Sequence, residues 1–353
     1  MNLNTASYDF LCRILSPFTG PASVFRLRQQ IASGFVAWAS VIGIANCHLV
    51  TPTLWVRLRE KNLDQIVEPD VRDYLQGLYA LNLKRNQGLK RQAVEVIGTL
   101  NKKNIHPLLI KGASQLFQPI HGDMGSRIMT DLDMWVPADQ ISAAVDALTE
   151  IGYSDGGKCL KTYHHLAPLF REGAFGAIEL HREVLPEPIA HVLNASLICK
   201  KSKHRTVEGV RYCTPTLNHA ILLCMLHSQV KDRFHDEWVI GLRSLNDMTA
   251  MVAHRRADMD WREIASRMIR HDLGPVLRAF LWHAHRLFKL PWPTSVRPSF
   301  RAIVHHELCM SAIRWQIMER LTIKVDCYSR FIHRCFGRFQ RFFRYAADQL
   351  SPG

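Results

Sequence analysis

The heptapeptide Thr130-Asp131-Leu132-Asp133-Met134-Trp135-Val136 constrains the fold more than any other part of the chain. Read as a strand, it places Leu132 and Met134 in a core and sets Asp131 and Asp133 together on the opposite face. Two carboxylates side by side repel each other, and a hard cation such as Mg²⁺ turns that repulsion into a binding site. The fold must therefore offer a sheet with one apolar and one acidic face. Two further stretches fit that sheet: Leu108-Leu109-Ile110-Lys111-Gly112-Ala113-Ser114 and Ala177-Ile178-Glu179-Leu180-His181. In the second, Ile178 and Leu180 face one way, while Glu179 and His181 face the other.

In this order the three stretches describe a site for divalent metal and a nucleoside triphosphate. Transfer to or from a triphosphate is served by two metal ions about 3.5–4 Å apart, and by a Gly-containing turn whose N–H groups cradle the phosphates. Asp131, Asp133 and Glu179 are the expected metal ligands, for two Mg²⁺ ions with Mn²⁺ as an alternative, and Glu179 also suits a base. Gly112, Ala113 and Ser114 are the expected phosphate turn. Lys111 beside them and Arg127 before the Asp pair are expected to meet the phosphates.

The 353 residues suffice for two or three packed units. Nine cysteines occur singly, none as Cys-x-x-Cys, which fits a reducing cytosol better than a disulfide framework or a zinc ribbon. The most apolar early run, Phe35 to Cys47, falls short of the roughly twenty residues of a membrane span. Met1 to Phe10 lacks the basic and apolar regions of a secretory signal. The expectation is a cytoplasmic protein without integral membrane association. A net charge of +14 favours a polyanionic partner such as RNA, or a triphosphate-bearing substrate; the alternative is a solvated basic surface with no specific partner.

Along the chain, residues 1–104 read as helical, with Leu89, Ala93, Val96, Ile97 and Leu100 forming one stripe. Residues 105–190 mix strands with one helix, for which Asp139 is the expected N-cap and Gly152 the residue just past the C-terminus. Residues 191–292 read as a second helical region. It has a start signal at Thr214-Pro215 and helices over 238–254 and 261–290. Residues 293–353, opened by Pro293 and Pro298, read as a basic, aromatic helical tail. Its Arg330, Arg334, Arg338 and Arg341 share a face that suits RNA, an anionic membrane or the protein's own surface. The fold class is α+β, a small mixed core between helical regions.

Several motifs together resemble the nucleotidyltransferase family with the DNA polymerase β-like catalytic fold. They are the Lys-Gly-Ala turn at 111–113, Arg127, Asp131-x-Asp133, Gly152-Tyr153, His164-His165 and Glu179-Leu180-His181. In particular they are similar to those of a bacterial branch marked by that turn. Trp38–Leu58 resembles its N-terminal helix pair, and Thr214–His227 with Gly241–Met248 its C-terminal helices, so the resemblance spans roughly residues 10–292. It implies a mixed sheet and Mg²⁺-dependent transfer of a nucleoside monophosphate to an acceptor hydroxyl, with pyrophosphate released. It leaves the acceptor open among RNA, protein and small molecule. The wider superfamily has Gly-Ser or Gly-Gly where this chain has Gly112-Ala113. An inactive member that binds nucleotide, RNA or a protein is the alternative, because a fold does not fix a function. His164, His165 and His181 are candidate contacts to nucleotide or acceptor. His227 and Asp247 are expected to tie helices together through a buried hydrogen bond.

Overall fold

The two acidic strands lie side by side in the computed structural model, which describes residues 3–155, 165–255 and 259–315. Seven strands make one mixed sheet. They are β1 (Leu108–Leu109), β2 (Asp131–Trp135), β3 (Ser154–Asp155), β4 (Leu169–Phe170), β5 (Ala177–His181), β6 (Lys203–Val207) and β7 (Val210–Thr214), in the order β3-β4-β5-β2-β1-β7-β6. β2 runs parallel to β5 and antiparallel to β1, while β7 runs parallel to β1 and pairs with β6 as a hairpin. The expected α+β class holds.

The β2–β5 register sets Leu132 against Ile178, Asp133 against Glu179 and Met134 against Leu180. Alternation then sends the four apolar side chains to one face, where all are fully buried. Helices α5 (Pro69–Lys102) and α6 (Ile141–Glu150) cover that face, α5 through the expected stripe Leu89, Ala93, Val96, Ile97 and Leu100. Pro69 in the first turn of α5 gives up a donor that a helix start leaves unpaired anyway. Asn104, at φ 58°, follows its end in the left-handed conformation that asparagine tolerates.

The second face of α5 is polar and grips the chain on either side of the acidic strands. Asn82 donates to the carbonyls of Gly125 and Arg127 at 2.7 and 3.0 Å, and Asn86 to those of Met124 and Arg127 at 2.7 and 2.8 Å. Arg85 donates to the Met129 carbonyl at 2.8 Å. Gln92 pairs twice with the backbone of Gly176, just before β5. One helix thus fixes the approach to both β2 and β5.

The remaining helices form a second apolar core. The N-terminal helices α1 (Leu3–Leu15), α2 (Pro21–Ala32), α3 (Trp38–Cys47) and α4 (Thr51–Glu60) share it with α7 (Ala195–Lys201), α8 (Leu217–Met225), α9 (Leu242–Arg255) and α11 (Gly274–Phe288). Sequence-distant helices meet there, as where Ser16 donates to the Phe288 carbonyl. α10 (Trp261–Arg270) packs on α8 and α11, and α12 (Phe300–Trp315) on α11. No described helix is long and apolar enough to cross a membrane.

Four local expectations need correction. Asp139 lies within a 3₁₀ turn, Ala138–Gln140, and Gln140 precedes α6 without a capping side chain. Thr216, not Thr214, caps α8 by accepting from the His219 amide, because Thr214 is still pairing in β7. The helix expected over 261–290 is two, α10 and α11, separated at Asp272, whose φ of 59° no helix continues. The helix expected from 238 begins at Leu242. Gly152, at φ 89°, takes the role expected of it after α6.

Candidate active site

The acidic face of β2 and β5 is held by a lysine and a histidine. Lys111 Nζ lies 2.6 Å from Asp133 Oδ1, and His181 Nε2 lies 2.8 Å from the same oxygen. An ionised carboxylate only accepts, so Nε2 of His181 carries the proton and donates. Burial pulls the His181 imidazole below its ordinary value despite Asp133, so the ring is neutral. Burial pushes the Asp133 carboxyl up, but Lys111 and His181 outweigh it and hold the group well below the carboxylate range. Burial likewise pulls the Lys111 ammonium down, and Asp133, Glu179 and Asp131 together hold it above its usual value. Lys111 reaches this position from a left-handed backbone, φ 50°, a conformation unusual for a residue with a Cβ and typical of functional turns.

Asp133, Glu179 and His181 offer donor atoms within 4.8 Å of one another, a cluster that could hold a metal ion. Asp131, one step along the same strand face, stands outside that group. Asp133 Oδ1 already accepts twice, so its other oxygen, together with the carboxylates of Glu179 and Asp131, would meet a hard divalent cation. That donor chemistry fits Mg²⁺ better than a soft metal.

The expected phosphate turn is a short 3₁₀ turn, Ala113–Leu116, preceded by Gly112. Gly112 has an ordinary φ, and what requires glycine is space. A Cβ there would lie 2.6 Å from Arg127 Nη1 and 3.1 Å from Met129 Cγ. Ser114 Oγ turns back to its own backbone, donating to the Lys111 carbonyl at 2.9 Å. Arg127 is tied by Nε to Asp247 Oδ2 at 2.9 Å, and His121 holds the other oxygen of Asp247 at 3.0 Å. Burial pushes the Asp247 carboxyl up, but Arg127 and His121 outweigh it and leave the group well below its usual range.

A cavity of about 1260 Å³ opens over this face and is lined by every described candidate residue except Ala113 and His181. Its far wall comes from segments whose place in a site the sequence alone did not disclose. Lys203 and Arg205 project from β6, and His227, Lys231, Asp232 and Arg233 come from the chain after α8. There α8 widens into a π-helical turn, Leu226–Lys231, a distortion frequent at functional sites. His227 Nδ1 lies 3.1 Å from Asp232 Oδ2, and Lys231 Nζ lies 2.9 Å from His227 Nε2. The sequence signal for β6 was the basic run Lys200-Lys201-Ser202-Lys203-His204-Arg205; nothing in the sequence announced the π turn.

A family model described as an uncharacterised nucleotidyltransferase matches residues 36–289. The chain belongs to this family. Comparison with curated proteins gives no match, and neither does comparison with solved structures.

In this member of the family the structure brings Lys111, Asp133, Glu179 and His181 into one cluster and sets Arg127 beside Gly112. His165 bridges to His181 and lines the cavity, its ring 5.3 Å from the His181 ring. His164 and the arginine face at 330–341 lie outside the described residues. The buried His–Asp tie expected between His227 and Asp247 is rearranged: Asp247 takes His121 and Arg127, and His227 takes Asp232.

Proposed function

We propose that the protein is a Mg²⁺-dependent nucleotidyltransferase that moves a nucleoside monophosphate from a nucleoside triphosphate to an acceptor hydroxyl and releases pyrophosphate. The observation that carries this reading is the register of Asp133 against Glu179 at the floor of a cavity whose walls supply Lys111, Arg127, Lys203, Arg205 and Lys231. Asp131, Asp133 and Glu179 would hold the metal ions. Bound there, Mg²⁺ supplies charge neutralisation and a more acidic acceptor hydroxyl. Asp133 is too weak a base to take that hydroxyl's proton, since Lys111 and His181 hold it ionised. Glu179 is the carboxylate assigned to receive it. His181 orients Asp133 through its Nε2–H. Lys111, Arg127 and Lys231 offset the charge of the triphosphate, and the backbone from Gly112 to Ser114 lies beside it.

The test is pyrophosphate release from each of the four triphosphates, with Mg²⁺ or Mn²⁺ and with chelator, in the presence of cell extract. Labelled nucleotide should appear in one fraction among RNA, protein and metabolites. Asp131→Ala with Asp133→Ala should abolish transfer while the far-ultraviolet circular dichroism stays unchanged. Full transfer by that double variant rules the reading out.

A second reading rests on the 2.6 Å contact of Lys111 with Asp133, which gives the carboxylate a cation from the chain itself. A module so neutralised would bind nucleotide without turnover. Calorimetric titration with ATP separates the two. Binding that needs Mg²⁺ and is lost in Asp133→Asn supports the enzyme, and metal-independent binding without pyrophosphate release supports the module.

A further inference from the structure

The proposed transfer chemistry leaves unused a group of imidazoles and one thiol where α11 meets α12. His305 and Cys309 are one helical turn apart on α12, and so share a face. Cys309 Sγ lies 3.6 Å from His305 Nδ1. A ring nitrogen of His283, from α11, completes a set of three donor atoms within 4.8 Å of one another.

The partners of these rings leave one nitrogen of each imidazole for a further ligand. His305 donates from Nε2 to the His235 carbonyl at 2.9 Å, so its Nδ1 is the basic nitrogen, on the side of Cys309. The His235 ring also stacks on His305 at 4.2 Å, fixing its plane. His283 Nδ1 is bonded to His306 Nδ1 at 2.9 Å, while His283 Nε2 is buried and finds no hydrogen-bond partner among the described residues. Burial, reinforced by the neighbouring imidazoles, keeps His283 neutral. An imidazole whose second nitrogen is held by a carbonyl or another side chain is how proteins orient a metal-ligating histidine.

Magnitudes favour a metal over hydrogen bonding alone. Bonds of about 2.3 Å to sulfur and about 2.0–2.1 Å to nitrogen at a tetrahedral angle set S and N about 3.6 Å apart. That is the observed Cys309–His305 spacing. A thiol-to-imidazole hydrogen bond has a similar length, but it accounts for two of the three donors and leaves His283 Nε2 unsatisfied. A buried orphan of that kind costs about 1–3 kcal/mol.

We propose that His283, His305 and Cys309 form a Zn²⁺ site that clamps α12 onto α11. Thiolate and imidazole select zinc, whereas the carboxylates of Asp133 and Glu179 select a hard cation, so the two sites take different metals. His283 lies within the family match at 36–289, and His305 and Cys309 lie beyond it. The clamp is therefore a feature of this chain's C-terminal part and does not rest on the transferase reading.

The full-length protein, stripped with chelator, is titrated with Zn²⁺ and with Co²⁺ as a spectroscopic probe. Wild type should bind about one equivalent of Zn²⁺ tightly at this kind of site, and Co²⁺ should show a thiolate-to-metal charge-transfer band. Cys309→Ala should abolish the band and weaken Zn²⁺ binding by more than the roughly 10–100-fold that loss of an outer partner costs. His283→Gln should weaken Zn²⁺ binding similarly. Asp133→Asn should leave band and affinity unchanged. Absence of the band in wild type, or equal Zn²⁺ affinity in wild type and Cys309→Ala, overturns the proposal. If His283→Gln does not fold, the smaller change at Cys309 decides alone.

Discussion

At the residue scale the site turns on one oxygen, Asp133 Oδ1, which accepts from Lys111 at 2.6 Å and from His181 at 2.8 Å. Lys111→Met removes the cation beside a carboxylate that is only 4% exposed, and breaking a buried pair from one side costs about 3–5 kcal/mol. The partial exposure of Lys111 places the expected loss at the low end, about 3 kcal/mol in urea denaturation near neutral pH. Adding Asp133→Asn should recover most of it, because the stranded charge is gone. The pH dependence has a definite sign. Asp133 is held below its unfolded value, so its contribution is full above the ordinary carboxylate pKa of about 4 and is lost as pH falls below it. The gap between wild type and Lys111→Met should therefore narrow in acid; a gap that widens there contradicts the ion pair. Alternation of faces made Asp131, Asp133 and Glu179 legible in the sequence. The hold of Lys111 on Asp133 was not legible, because it depends on a left-handed turn at a residue with no glycine or asparagine to signal it.

At the scale of elements, α5 does the positioning. Its apolar stripe could be read from spacing alone. Its polar face could not, because Asn82, Asn86 and Gln92 bond to backbone carbonyls and amides, which carry no sequence signature. Asn86→Ala strands the part-buried carbonyl of Met124, leaves that of Arg127 to Asn82 alone, and should cost about 1–3 kcal/mol. If α5 sets the approach to β2, turnover of labelled triphosphate should fall more steeply than global stability. The β2–β5 register is sensitive at Gly176, where a Cβ would lie 2.8 Å from the Thr130 carbonyl oxygen, a backbone atom with little room to yield. Gly176→Ala should cost about 1–3 kcal/mol by overpacking and weaken Mg²⁺ binding. Gly43→Ala is the contrast. It lies inside α3 with nothing within 4 Å of the added methyl, and should gain up to about 1 kcal/mol from helix propensity. Equal effects in differential scanning calorimetry would remove the register from the explanation. The break between α10 and α11 did have a signal, Gly274-Pro275 with its proline in the first turn of α11, but apolar spacing continues across it and the expectation followed the spacing.

Across the whole molecule, the feature that composition hid is how many of its 18 histidines are buried. Burial pulls His48 down to about 4 from an ordinary 6.5, and holds His121, His219 and His283 below their usual values as well. Such a ring binds fewer protons folded than unfolded between those two pH values. Stability therefore rises with pH across that window and is lost as pH falls from about 6.5 toward 4. For His48, 5% exposed, a shift of that size corresponds to roughly 3 kcal/mol. A competing cause predicts the same direction, since a chain of net charge +14 repels itself more strongly as it takes up protons. Salt separates the two. At about 1 M the screening length is about 3 Å, which removes long-range repulsion and leaves the desolvation of a buried imidazole untouched. Urea denaturation midpoints should keep falling between about pH 6.5 and 4 in that salt, and the slope should flatten in His48→Phe, whose ring retains the edge-on packing against Tyr8. A slope that vanishes in salt and is unchanged by His48→Phe assigns the acid sensitivity to surface charge instead.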